Sequence, residues 1–564
     1  MINQASANQD NRASRTSWLI ALFVGFLVAY PFAYVAMAQN PHLLIGVLAG
    51  DSYHYLAIAR KALESGIYTY DGVHVTNGFH PLWQYSARGL FTLFNFTSHE
   101  QQALALISLS VTSCTLGAVF ASMAIQRLTG QKYLGLLVIP GIFYLTFGVH
   151  VQTLSVWSTV DGMESAYSLL FGGLFFYVMS KFNDLSDSAE DLIGACKKIG
   201  FILPFMILSR LDDVFIIPAF YVPIYLHRSA LPNRISAAFW LSFPAGVAVI
   251  CYLIYNIATV GAAMPLSGST KFGFAGFTTA YLTGVMHFPP LLDLKNLVSV
   301  KQSDGATLFP NFFRLAEVFY PLVAAGFGLF IVLKNHRNRP MFLLLAAICG
   351  YMVIKMSYNF FFVNAWHQSS WYYGLANISI SVLGAMLVNE IVGELNFSSV
   401  GRAAFATLYG LLMLFTASLK YFHLAYPTAN ELKYWDRKDE IRAELVTRGA
   451  MGILNVDDGI GAFLLDLPSI HGFAFATDTE AQKAYREGKM LAVASARGIN
   501  VITGDYLATD LAPLQTDLVG YLKSSLAWET MRNEAEHYDF SLLYYDAPLR
   551  LPFIAFKPKT DAVN

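Results

Sequence analysis

The sequence predicts a polytopic α-helical membrane protein of about eleven transmembrane helices, followed by a small C-terminal α/β domain. Three observations carry this. Of 564 residues, 55% are hydrophobic and only 13% are charged, against about a quarter charged in soluble globular chains. The apolar residues gather in runs of about twenty, the length that crosses a bilayer core. The stretch 425–564 is polar instead and mixes strand-like with helical runs.

Spans are expected near 18–38, 104–126, 134–149, 162–181, 197–209, 213–227, 236–258, 317–334, 341–361, 371–392 and 402–421. The first follows a polar start carrying Arg12 and Arg15 and has no convincing cleavage site, so it reads as a retained span. The segment 80–96 has Arg88 at its middle and reads as an amphipathic helix lying at the membrane interface. Threading from an inside N-terminus puts Arg127, Lys132, Lys181, Lys197, Lys198, Arg228, Arg234, Lys334, Arg337 and Arg339 on the cytoplasmic side. The loops 39–103 and 259–316 then fall outside, and an odd number of spans exports the tail. Two domains follow: a multi-spanning membrane domain, 1–424, and a soluble periplasmic domain, 425–564. In the tail, strands are expected at 452–457, 540–546 and 552–556 and helices within 480–499. Net charge is −1, which gives no reason to invoke a nucleic acid. The cysteines Cys114, Cys196, Cys251 and Cys349 sit in or beside apolar segments and imply no disulfide framework.

GDSYHYLAIA, at 50–59, places Asp51 at the start of a helical pattern that stops at Gly66. A carboxylate there can cap the helix by accepting the free amide hydrogens of its first turn. It can also serve as a general base, with His54 one turn along on the same face. The stretch DGVHVTNGFHPLW, 71–83, adds His74, His80 and Trp83. The histidine spacings match no tight metal-ligand pattern, so no metal ligand is assigned. His80 reads as a hydrogen-bonding loop residue and Trp83 as an interfacial anchor.

Asp161 and Glu164, in STVDGMESA, stand before a span, where they either cap it or belong to a site. SRLDD supplies Arg210, Asp212 and Asp213, for which a local ion pair is the plain alternative. Lys355 lies about six residues, roughly 9 Å at helical rise, inside the outer end of its span. It either faces a partner or snorkels to the surface. Lys271, in AAMPLSGSTK, adds an outer-face cation. Asp51, Asp161 and Glu164 are thus the candidate catalytic acids. His54, His80, Trp83, Arg210, Asp212, Lys271, Lys355, Trp366, His367 and Trp371 are the candidate substrate-binding residues. Such a set suits a substrate with an anionic head and a tail in the bilayer.

The first-loop Asp with its aromatic helix, then TNGFHPLW, DGMESA, SRLDD and MPLSGSTK, occur in the order seen in the GT-C superfamily of integral membrane glycosyltransferases. The chain resembles that superfamily over about 18–424, most strongly over 51–83. The superfamily includes protein O-mannosyltransferases and lipid A aminoarabinose transferases, and the chain looks most similar to uncharacterised bacterial members. The resemblance implies inverting transfer of a sugar from a polyprenyl-phosphate carrier to a glycan, lipid or protein acceptor. The reaction would occur at the periplasmic face of the inner membrane. It also implies that Asp51 is the base, with Arg210, Lys271 and Lys355 as candidates for the carrier phosphate. Many relatives have two acids in tandem where this chain has Gly50 and Asp51, while Asp161 stands where Asn is common. The second acid is therefore expected to have moved to the other loop. No cofactor is expected, although Asp51, Asp161 and Glu164 could hold a divalent cation such as Mg2+ or Mn2+ through oxygens.

Three other readings compete. A lipid-linked glycan transporter or flippase would carry polar groups near mid-membrane, whereas here they concentrate at one face. An assembly protein working through its tail would need only one span. A ligase or oligosaccharyl transferase using diphosphate-linked glycans stays within the enzyme class. The tail is expected to help hold the acceptor.

Overall fold

The computed structural model describes residues 2–139, 160–181, 189–226, 230–271, 339–362, 374–394 and, apart from a few loop positions, 430–559, with scattered positions such as Tyr372 between them. The chain divides into two compact units. One comprises Met1–Ala38, Leu109–Ile250 and Lys271–Leu424; the other comprises Gln39–Ser108, Cys251–Thr270 and Ala425–Asn564. A boundary falls at 424/425, but the tail shares its unit with the first loop and with a short segment after position 250.

The helices are α1 (Ile2–Ala38), α2 (Ser52–Ser65), α3 (Pro81–Phe94), α4 (His99–Thr129), α5 (Ser165–Ser180), α6 (Ala189–Ser209), α7 (Ile216–Leu226), α8 (Leu231–Val260), α9 (Leu266–Lys271), α10 (Arg339–Phe362) and α11 (Gly374–Glu394). Among the described residues, five stretches are long and apolar enough to cross a membrane: Arg15–Ala38, His99–Thr129, Glu190–Ser209, Leu231–Val260 and Gly374–Val392. Of the other expected spans, 162–181 corresponds to the shorter apolar α5, 213–227 to α7 and 341–361 to α10. The spans expected at 134–149, 317–334 and 402–421 lie wholly or mostly outside the described residues. Prolines sit inside α1 (Pro31), α6 (Pro204) and α8 (Pro244), as membrane helices tolerate where neighbours re-satisfy the freed carbonyl. On α8, Ile235, Phe239, Phe243, Val247, Ile250 and Ile254 form one exposed apolar stripe at helical spacing. Such a stripe is costly in water and ordinary against lipid. Helices α4 and α5 approach closely at Gly117 and Gly173, where a side chain on either would overlap the other's backbone.

In the other unit, α2 packs against α3. It ends at Gly66, whose φ of 80° suits a residue without a Cβ. After α12 (Asn430–Thr447) the tail forms β1 (Ile453–Asn455), α13 (Ile460–Leu464), β2 (Ser469–His471), α14 (Thr479–Glu487), α15 (Met490–Ala496) and β3 (Val501–Thr503). The hairpin of β4 (Tyr538–Asp546) and β5 (Leu551–Pro558) then completes a sheet of order β2-β1-β3-β5-β4. The pairs β1–β2 and β1–β3 are parallel; β3–β5 and β5–β4 are antiparallel. The three parallel strands are buried at every position, as strands covered on both faces must be. Their core gathers Leu454, Ile470, Ile502, Ile554 and Phe556 with Met490 and Leu491 of α15 and with Leu522.

Side chains of the tail and of the first loop interlock. Arg60 of α2 directs its guanidinium fork at Asp466, at 3.0 and 3.3 Å, and His99 reaches the same carboxylate at 3.3 Å. Trp435 of α12 donates its indole N–H to the Tyr53 hydroxyl at 2.9 Å. Burial pushes the Asp466 carboxyl upward, but His99 and Arg60 more than reverse this and hold it well below the usual carboxylate range. A carboxyl with a depressed folded pKa contributes stability that is present above its unfolded pKa, about 4, and is lost as pH falls through the folded value. Asp466→Asn should therefore lower the melting temperature of the detergent-solubilised protein at pH 7, and the difference from wild type should shrink below about pH 4. Thermal unfolding of both proteins across that range measures it.

Candidate functional site

Each unit holds one group of the candidate residues. In the unit that includes the tail, Asp51 occupies the N-cap position of α2 with φ −59° and ψ −23°, and its side chain makes no capping bond. The capping role expected from sequence is therefore not the one it plays. Instead, the adjacent Ser52 hydroxyl donates to the Ala49 carbonyl at 2.6 Å. Helical backbone angles at Asp51 account for this, since a capping side chain needs an extended N-cap to fold back over the first turn. The carboxylate is left half-exposed at the start of a rigid helix. His54, one turn on, is buried, with Nδ1 3.2 Å from the Tyr70 hydroxyl and its ring edge-on to His471, centroids 4.5 Å apart.

Trp83 is fully buried, which corrects the interfacial-anchor reading: α3 turns Trp83, Gln84, Ala87 and Phe91 inward at helical spacing. A residue so enclosed shapes the loop and offers no surface to a substrate. On the same helix the Arg88 guanidinium lies over the Tyr68 ring, 4.9 Å from its centroid. His80 stands at the N-cap of α3, and its amide donates to the Tyr55 hydroxyl at 3.5 Å. Lys271, which belongs to the other unit, is the last residue of α9, and Trp366, His367 and Trp371 lie outside the described residues.

Asp71, His74 and Asp478 bring one ligand atom each within 4.8 Å of one another. However, the Arg497 guanidinium already lies among them, 3.0 Å from Asp71 and 2.5 Å from Asp478, and also 2.7 Å from Glu480. Burial raises the Asp478 carboxyl, yet Arg497 and the Ala481 amide bring it below its ordinary value. The three groups are balanced by a guanidinium, and a divalent cation there would have to displace it. The cluster reads as another tie between first loop and tail.

In the other unit the SRLDD residues carry a buried ionic network. Arg210 donates to Glu164 at 2.6 Å and, through its other face, to Asp212 at 3.0 and 3.3 Å. Its guanidinium also stacks over Tyr372, 4.3 Å from the ring centroid. Lys355 donates to the same Asp212 carboxylate. Asp213 accepts from Ser168 and from Tyr351, both at 2.9 Å. Asp161 accepts the Met163 amide at 3.1 Å.

Arg210 and Lys355 are 1% and 0% exposed. Lys355 therefore faces a partner and does not snorkel, and the Arg210–Asp212 pair is one link of a longer chain. Glu164, like Asp51, makes no cap bond; its carboxylate goes to Arg210. Both cations are thus engaged by acids. Tyr351, Ser168 and Tyr372 complete the network without any sequence signal, because each is an ordinary residue of an apolar segment. Removing one partner of a buried pair costs about 3–5 kcal/mol. Lys355→Met should accordingly lower the melting temperature of the solubilised protein strongly, and adding Asp212→Asn should regain part of the loss. Melting of the two single variants and the double variant checks the coupling.

Neither a family model nor a curated protein sequence matches the chain. Solved structures do. The oligosaccharyltransferase of Archaeoglobus fulgidus in its apo form is similar over 96% of this chain and 74% of that one, at 14% identity and TM-score 0.50. The same enzyme tethered to an acceptor peptide containing the NVT sequon gives 95% and 75% coverage, 12% identity and TM-score 0.46. Its form with an inhibitory peptide and a dolichol-phosphate gives 96% and 75%, 13% identity and TM-score 0.43. At these identities the apo-form likeness carries the fold alone.

Proposed function

We propose that the chain is an inverting membrane glycosyltransferase that moves a sugar from a polyprenyl-phosphate carrier to an acceptor at the periplasmic face of a bacterial inner membrane, with Asp51 as general base. The observation that carries this reading is the state of Asp51, a carboxylate at the N-terminal turn of α2 that makes no cap bond. The fold likeness to an oligosaccharyltransferase supports the same class of chemistry.

In the proposed step the acceptor hydroxyl oxygen attacks the anomeric carbon and its proton passes to Asp51. The bond from that carbon to the phosphate oxygen breaks, and the carrier leaves as a phosphate whose charge needs stabilising more than it needs a proton. One carboxylate is enough for a single displacement, and one displacement inverts the centre, unlike the paired carboxylates of glycoside hydrolysis. Arg210, Lys271 and Lys355 stay the candidates for the carrier phosphate, and Arg210 and Lys355 already meet Glu164 and Asp212. Asp161 and Glu164 then serve to set the charge of their own loop. A second reading, a transferase using diphosphate-linked oligosaccharides and a protein acceptor, is favoured by the identity of the structural neighbour as an oligosaccharyltransferase.

Purified full-length protein supplied with tritiated undecaprenyl-phosphate and undecaprenyl-diphosphate sugars distinguishes these. Release of undecaprenyl phosphate from the monophosphate donors is expected, with Asp51→Asn slower by about 10²–10⁴-fold. Release of undecaprenyl diphosphate alone would select the second reading, and no release from either donor would remove both.

A further inference from the structure

The first turn of α2 is held from the tail. The His54 ring is bounded by Tyr70, by His471 at the end of β2, and by the backbone of Gly459 just before α13. A Cβ on Gly459 would lie 2.5 Å from His54 Nδ1, and the residue's φ of 88° is itself one that side chains avoid. His54 and His471 are 8% and 2% exposed. Their edge-to-face geometry, 71° between ring planes, is the arrangement aromatic pairs favour. A ring enclosed in this way cannot swing, and it is borne by the first turn of a helix otherwise buried along Tyr53, Tyr55, Leu56, Ile58 and Ala59. The rotation of α2 about its own axis is thereby fixed. With it is fixed the direction of the carboxylate one turn earlier.

We propose that His471 and Gly459 are positioning residues for Asp51, acting through His54, so that the tail is part of the catalytic apparatus and not only a place to hold the acceptor. The proposal rests on the reading of Asp51 as the base. Truncating His471 opens a gap beside His54, and a displacement of even about 1 Å at a reacting group can cost up to about 10²-fold in rate.

The test uses the full-length protein in detergent with two readouts: undecaprenyl phosphate released from tritiated undecaprenyl-phosphate sugars, and hydrogen exchange of the backbone amides. For His471→Ala, kcat should fall about ten-fold with donor KM within about two-fold of wild type, while amides 52–56 exchange faster and amides 479–487 do not. His471→Phe keeps an aromatic edge against His54 and should restore both readouts. Gly459→Ala should behave as His471→Ala does. A wild-type kcat in His471→Ala overturns the proposal. So does a loss that Phe does not rescue and that comes with faster exchange throughout the tail, the mark of a purely structural residue. If the wild type releases no phosphate from any donor, the enzymatic reading fails by itself. The exchange data then still decide the contact, and unchanged amides at 52–56 in His471→Ala overturn it.

Discussion

The burial of α2 is the constraint on which the rest depends. Fourteen residues make a helix that is marginal in water when isolated, so its order must come from what packs around it. Nine of those residues are buried, and the contacts come from distant sequence: Arg60 meets Asp466, Tyr53 meets Trp435, and His54 meets His471. A first loop of a membrane protein would ordinarily be a mobile connection. Here it is one face of a folded unit whose other face is the tail. The helix that begins after Asp51 is met by structure some four hundred residues away in the chain, with 406 positions separating Arg60 from Asp466.

The other unit obeys a different constraint. Taking Arg210 and Lys355 out of water is expensive unless acids accompany them, and Asp212 answers by accepting from both while Glu164 takes the remaining side of the guanidinium. The network ties α5, the turn after α6, and α10 through charge; beside it, Asp213 adds Ser168 and Tyr351 through hydroxyls. Such networks are high-stakes: satisfied, they specify one packing; broken, they leave a charge with nowhere to go. That accounts for the concentration of ionisable residues in SRLDD within a chain that has so few.

Local signals were legible in the sequence and long-range ones were not. The strands around 452–457, 540–546 and 552–556 were visible as short apolar runs between turn residues, and the helical stretch 480–499 resolves into α14 and α15 about Gly488. Strands β2 and β3 have no local signal, because three buried residues each, SIH and VIT, carry no period. Lys355 and SRLDD stood out because charges in apolar runs are rare, but which acid each cation would meet depends on helix packing. Trp83 is buried where an interfacial position is expected, because a tryptophan beside a proline looks the same in a core as at an interface. His471 and Gly459 gave no signal at all: what matters about each is its fit against His54, and nothing in the local pattern encodes a partner in the first loop.

The most direct measurement of the central claim is the position of a bound donor. Cryo-electron microscopy of the full-length protein in nanodiscs, with an undecaprenyl-phosphonate sugar that cannot be cleaved, would supply it. The expected result has the anomeric carbon facing the Asp51 carboxylate with room for one hydroxyl between them and the phosphonate on the opposite side. A donor bound with its anomeric carbon turned away from Asp51, or at a site that α2 does not reach, would contradict the account.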